Sequence, residues 1–233
     1  MTGAIDAGLA TAYILNAMIT ELNERSRDIL RLVVEAYVET GGPIGSRTLS
    51  QRLNQGLSAA TIRNAMADLE DAGLLYAPHT SAGRVPTEQG YRFFVDAIID
   101  RTHQRRKARK TALESKIIDR AREVSGRTND MGIVIDEEDG EVRYLGMKRV
   151  FENPEFRTHE SVVSLLGDLE RFEDYSETIY ARLTKDLEIF IGSENPFFEN
   201  QDYGMISARY NDSLIALLGP MRMNYKVNLS LLL

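Results

Sequence analysis

Three short stretches carry side chains whose types and spacing suit a phosphate-bearing duplex. In LSAATIRNAMADLE, Arg63 and Asn64 stand side by side, preceded by Ala60 and Thr61 and opened by Ser58. Arginine and asparagine are residue types that read base edges through two hydrogen bonds at once. In GSRTLS, Ser46 and Arg47 pair a hydroxyl with a guanidinium, both donors to phosphate oxygens. In TSAGRVPT, Ser81, Gly83 and Arg84 form a loop of small residues around one cation. That cation suits neutralising a phosphate or entering a narrow minor groove.

No comparable set points to catalysis. His79, His103 and His159 are far apart and lack ligand spacing, so neither a metal nor a cofactor is expected. No glycine loop precedes a helix as a phosphate cradle, and no serine sits in a nucleophile elbow. The run Asp136-Glu137-Glu138-Asp139-Gly140 lacks the alternation of a calcium loop and reads as a hairpin turn. The chain is therefore expected not to be an enzyme.

The positioning elements follow from caps and periodicity. Asn23 predicts a helix start, and Ile29, Leu32, Val33, Ala36 and Tyr37 form an apolar stripe that Gly41-Gly42-Pro43 ends. Ser46 is expected to cap a second, short helix with Leu49 and Leu53 one turn apart, and Ser58 to cap and anchor a third. With Ile62 facing inward, the helical period brings Ala65, Met66 and Leu69 beside it. The same period turns Ala60, Asn64 and Ala67 outward, flanked by Thr61 and Arg63. This smooth face suits close approach to a groove; a bland alanine-rich surface helix is the alternative. After Gly73, Leu74 to Tyr76 predict a strand, Val85 its returning arm, and Thr87 the cap of a fourth helix carrying Tyr91, Phe94, Val95 and Ile98.

Helix, helix, helix, hairpin, helix is the order of a winged helix-turn-helix. In it Ser46 and Arg47 would grip phosphate, and Ser81, Gly83 and Arg84 would form the wing. Gly83 is expected to free the turn. Arg84→Ala is expected to lower the salt slope of binding by about one. An ordinary exposed loop arginine is the alternative.

The chain has 233 residues, no cysteine and a net charge of −7. The sum hides a split: 14 basic against 11 acidic residues from Glu21 to Lys110, and 14 against 23 from Thr111 to Leu233. Separate tasks for the two halves follow, a polyanion surface in the first. No apolar run of about 18 residues is long enough to cross a membrane. The apolar start carries no lysine or arginine, so a secretory signal is not expected. A cytoplasmic protein without disulfides is the simplest reading.

Four segments are expected: an N-terminal extension over 1–20, the DNA-binding domain over 21–100, a basic linker helix over 101–125 containing RTHQRRKARK, and a second domain over 126–233. Strands are read at Ile133 to Ile135, Val142 to Leu145, Glu188 to Ile191, Tyr203 to Tyr210 and Leu214 to Leu218. Helices are read after His159, with Val162, Val163, Leu165, Leu166 and Leu169, and from about Ser176 to Leu183. The fold class is thus α+β. No polar cluster in this half singles out a ligand, which favours a packing and dimerisation role.

The segments LNERSRDILRLVVEAYVETGGPIGSRTLSQRL, LSAATIRNAMADLEDAGLL and HTSAGRVPTEQGYRFFVD resemble the N-terminal domain of HrcA, the bacterial heat-inducible transcription repressor, from Leu22 to Asp96. NPEF, IGSENPF and LLGPMRMNY resemble that family's GAF-like regulatory domain. The resemblance implies a homodimeric repressor of chaperone genes. It would bind an inverted-repeat double-stranded operator known as CIRCE, and a GroE-type chaperonin would keep it active. It also implies that the family's inserted dimerisation domain is reduced or missing here. The family's start resembles MITELNERSRDIL, so Met18 is expected as the initiator. Two other readings stand beside this one: a ligand-responsive winged-helix regulator, and a winged-helix protein-interaction module that does not bind DNA.

Overall fold

Asn23 Oδ1 accepts a hydrogen bond from the Ser26 amide at 2.9 Å and starts α1 (Glu24–Thr40), so one donor at the open helix end is satisfied. The structure is a computed structural model. It describes residues 22–53, 57–79, 82–106, 117–136, 140–183, 185–210 and 213–232, with the backbone alone at 100–106. The chain divides into two compact units, the first ending at Phe94 and the second beginning at Val95.

In the first unit, α1 is followed by α2 (Ser46–Arg52), α3 (Ala59–Asp71), the two-residue strands β1 (Leu75–Tyr76) and β2 (Val85–Pro86), and α4 (Glu88–Arg106), which runs past the division. The strands pair antiparallel, Leu75 opposite Pro86 and Tyr76 opposite Val85. The buried face of α1 is broader than the predicted stripe. Leu30 and Val34 are as buried as Ile29 and Val33, while Leu32 and Tyr37 stay half-exposed. Helix α1 packs on both α3 and β2, so it buries two adjacent flanks. From α3, Ile62, Ala65, Met66 and Leu69 are buried as expected. Fully burying one such large aliphatic side chain contributes about 1.5–3 kcal/mol, so this set fixes which side of α3 is left outside.

Thr87 closes the first unit. Its hydroxyl donates to Gly73 O at 2.7 Å and accepts from Gly90 N at 3.1 Å, tying the end of α3 to the start of α4. A Cβ on Gly90 would lie 2.2 Å from Leu74 O, so only glycine lets α4 begin this close to the hairpin.

The second unit is a five-stranded antiparallel sheet in the order β4-β3-β7-β6-β5. Its strands are β3 (Met131–Asp136), β4 (Val142–Leu145), β5 (Leu187–Ile191), β6 (Tyr203–Tyr210) and β7 (Ser213–Pro220). All five coincide with the expected strands to within a few residues. Gly140 N donates to Asp136 O at 3.0 Å at the base of the β3–β4 hairpin; the acidic residues 137–139 lie outside the described residues. The central strands β3 and β7 read as nearly continuous apolar runs, and β6 is buried along Tyr203 to Ala208, because both faces of the sheet are covered.

On one face Met131, Ile133, Met205, Leu214 and Leu218 form a core with α7 (His159–Asp174) and α8 (Ser176–Arg182). On the other lie α5 (Ile117–Thr128), whose Ala121 would be 3.3 Å from a Cβ on Gly132, and the C-terminal α9 (Tyr225–Leu232), preceded by the short α6 (Met147–Val150) in chain order. Thr158, ahead of the expected start, caps α7 by accepting from Ser161 N at 3.1 Å. The buried side of α7 is Leu165, Asp168, Leu169 and Phe172, whereas Val163 and Leu166 are exposed. Among the described residues no helix is long and apolar enough to cross a membrane.

Candidate nucleic-acid interface

The loop before β2 is held by backbone bonds against Ile44, two residues before α2. Ile44 N donates to Arg84 O at 2.9 Å and Arg84 N to Ile44 O at 2.8 Å. A Cβ on Gly83 would sit 2.3 Å from the carbonyl carbon of Ile44. Gly83 does not have a positive φ. The expectation that it frees a turn is therefore corrected: the absence of a side chain admits close approach of two backbones.

This bridge closes a cleft of about 470 Å³ whose walls include Ser46, Arg47, Arg63, Gly83 and Arg84. Five of the ten residues expected to meet DNA thus share one concavity, formed by the start of α2, one side of α3 and the loop. Ala60, Arg63 and Asn64 are exposed on α3, with Thr61 half-exposed. Ser58 caps the helix: its Oγ accepts from Thr61 N at 3.1 Å and lies 3.0 Å from Thr61 Oγ1. The two hydroxyls therefore have each other as partners at the helix start.

Ser46 departs from expectation. It is the first residue of α2, and the cap position belongs to Gly45, with no side-chain cap bond.

Arg84 also differs from the bare cation read in the sequence. Its Nη2 lies 2.7 Å from Oε2 of Glu70, in the last turn of α3, and its Nη1 donates to Ala82 O at 3.4 Å. Only about a quarter of the side chain is exposed. Arg47 and Arg63, by contrast, are exposed and make no ion pair among the described residues. Three guanidiniums around the cleft thus face one carboxylate partner among the described residues. Ser81 lies outside the described residues, as do the side chains of the basic run from Arg101.

Two features of the second unit escaped the sequence reading. Arg171, Phe172, Tyr175, Arg182, Phe197 and Glu199 are among the residues around a cleft of about 330 Å³. The Arg182 guanidinium stands 5.6 Å from the Phe197 ring centroid. The doublets in RFEDY and NPFF hint at aromatic packing, but their convergence is tertiary. The second feature is Asp130, which is buried and accepts from Asn228 Nδ2 at 2.7 Å. Burial pushes its carboxyl up from 3.8 to about 7, against the opposing pull of Asn228, Thr128 and Arg222. Among the described residues no group of three or more histidine, aspartate or glutamate side chains is placed to hold a metal.

Residues 88–227 match the model of the HrcA protein C-terminal domain. The chain belongs to the HrcA family. Over 131 residues it is 46% identical to the heat-inducible transcription repressor HrcA of Afipia carboxidovorans, a match covering 51% of this chain and 36% of that protein. Over 79 residues it is 66% identical to the repressor of the same name from Bartonella henselae, covering 34% and 22%. The matched stretches thus span about a third or less of these HrcA relatives. A hypothetical protein of known crystal structure shares the fold with a TM-score of 0.73 at 17% identity, over 92% of this chain and 95% of the other.

Proposed function

We propose that the chain is a sequence-specific DNA-binding transcriptional repressor of heat-shock genes, with the first unit acting as a winged helix-turn-helix. In this reading α3 enters the major groove, and Arg63 and Asn64 read base edges, with Ala60 and Thr61 beside them. Ser46 and Arg47 hold phosphate, Ser58 anchors the helix start, and the loop of Ser81, Gly83 and Arg84 is the wing. The observation that carries the proposal is the shared cleft: the loop, the start of α2 and the arginine of α3 present one concave, cation-rich surface. The names of the relatives support the regulatory role.

An inverted-repeat operator of the CIRCE type requires two-fold symmetry, so the repressor acts as a homodimer. The second unit, a shortened GAF-like domain, carries the dimer contact and the response to heat or to a GroE-type chaperonin. The test is binding of the full chain to an inverted-repeat duplex and to a scrambled duplex of equal length, at about 50 and 200 mM salt. Preference for the operator together with steep loss of affinity at the higher salt is expected. Equal, salt-independent binding to both would overturn the proposal.

A second reading, a ligand-responsive regulator, is favoured by one observation, the aromatic cleft around Tyr175 and Phe197. It predicts a raised melting temperature with a metabolite bound there.

A further inference from the structure

We infer that Glu70 is an affinity-limiting residue: it occupies the wing arginine, Arg84, and so removes one phosphate contact from the DNA-docking surface. The inference rests on the DNA-binding reading above and concerns how strongly that surface attracts a duplex.

Glu70 sits where a helix does not favour it. The last turn of α3 holds Asp68, Glu70 and Asp71 and no basic residue. Carboxylates at a helix C-terminus face the negative end of the dipole. Arg84 offsets one of them through the 2.7 Å contact from Nη2 to Glu70 Oε2. The partners are fourteen positions apart and meet only because the Ile44–Arg84 bridge brings the loop back to α3.

The pair is incomplete as a hydrogen-bonded unit. Arg84 Nη1 has only a long contact to Ala82 O at 3.4 Å, and Nε is buried without an acceptor. A guanidinium is built for two parallel bonds to one anion, and here it makes one good bond. It is therefore tethered yet unsaturated, and a phosphate would have to compete with Glu70 for it. While Glu70 holds it, Arg84 releases no counterion on docking and adds nothing to the salt slope.

The effect is local to the wing. Arg63 and Glu70 are seven residues apart, about 10 Å along the helix axis. That is about one Debye length at 0.1 M salt. The base-reading end of α3 therefore feels Glu70 weakly, and the masking acts on phosphate attraction for every sequence alike. The earlier expectation that removing Arg84 lowers the salt slope is revised accordingly.

The experiment measures salt slopes for the full chain on operator and scrambled duplexes. Four proteins are compared: wild type, Glu70→Gln, Arg84→Met and the double variant. Methionine keeps part of the aliphatic packing of Arg84, and thermal melting checks each fold. Glu70→Gln is expected to steepen the slope by about 0.9, which makes the loss of affinity between about 50 and 200 mM salt roughly 3.5-fold larger. Affinity for both duplexes should rise together. Arg84→Met leaves the Glu70 carboxylate unpaired, so the deciding comparison is the double variant, which lacks both the carboxylate and the freed cation and should return to the wild-type slope. A double variant as steep as Glu70→Gln would show that the gain does not pass through Arg84 and would overturn the inference. An unchanged slope in Glu70→Gln would overturn it equally. Absence of salt-dependent binding by the wild type would instead bring down the DNA-binding reading, and this inference with it.

Discussion

Arg209 in the second unit donates from Nε to Leu183 O at 3.1 Å and from Nη2 to Leu183 O at 2.7 Å, and its guanidinium lies 3.9 Å from the Tyr180 ring centroid. Arg63 in the first unit is exposed and makes no hydrogen bond or ion pair among the described residues. The contrast extends to their neighbours. Arg171 pairs with Asp168 and Glu199, Arg222 with Glu155, and Arg120 with Glu123. Around the first unit's cleft, among the described residues, only Arg84 has such a partner. A guanidinium whose donors are consumed by carbonyls and carboxylates builds structure. One left open to solvent is available for an external anion.

The largest effect should come from charge buried in the second unit. Asp130 is held near 7 in the native state, against an ordinary 3.8. The native carboxyl therefore keeps its proton from about pH 4 to pH 7, whereas the unfolded one has lost it. The unfolded state binds fewer protons in this window, so stability falls as pH rises, by about 4 kcal/mol in all, and levels off above pH 7. Asp130→Asn should remove most of that decline. Urea unfolding at pH 4.5 and 7.5 reads it directly, and parallel pH profiles for the two proteins would show that the carboxyl ionises freely.

The comparison of arginines gives the next largest effect. Arg209→Met deprives the carbonyls at the end of α8 of charge-assisted donors and should cost about 3 kcal/mol in denaturant unfolding. Arg63→Met should change stability by no more than about 0.5 kcal/mol. Similar losses in both would erase the distinction between structural and available cations.

How far the sequence foretold this division depends on the range of each interaction. Asn23, Ser58 and Thr87 act on amides three residues away, so their caps were legible. The inward face of α3 followed from helical period alone. The central strands β3 and β7 were legible as apolar runs, because burial on both faces leaves little polar alternation. The half-buried edge strands β4 and β5 kept Val142, Tyr144, Leu145, Ile189 and Ile191 as their signal. Asp168 was not legible, since a carboxylate on the buried side of α7 makes sense only beside Arg171 and the Glu199 amide, to which it is bonded at 3.2 Å. Nor was the Glu70–Arg84 pair, or the reason for Gly83. Each depends on Ile44 meeting the loop, a contact forty residues long in sequence that no local pattern encodes.

Binding specificity sharpens the same contrast within the first unit. Asn64→Ala should cost about 1–3 kcal/mol on the operator duplex and little on a scrambled one. The amide is exposed beside Arg63 and carries no charge for phosphate to feel. Equal loss on both duplexes would move Asn64 from base reading to backbone contact.

Arg47→Ala should give the smallest effect, and one of a different kind. Arg47 lies at the start of α2 and lines the cleft, without an ion pair among the described residues. If it neutralises one phosphate, its loss lowers the salt slope by about 0.9 and weakens operator and scrambled duplexes by the same factor. The ratio of the two affinities then stays fixed. A changed ratio with an unchanged slope would mean that Arg47 reads a base, and the start of α2 would have to lie in a groove. Measured beside Asn64→Ala, this variant separates the two ways an uncompensated polar surface meets a duplex, one that counts phosphates and one that distinguishes bases.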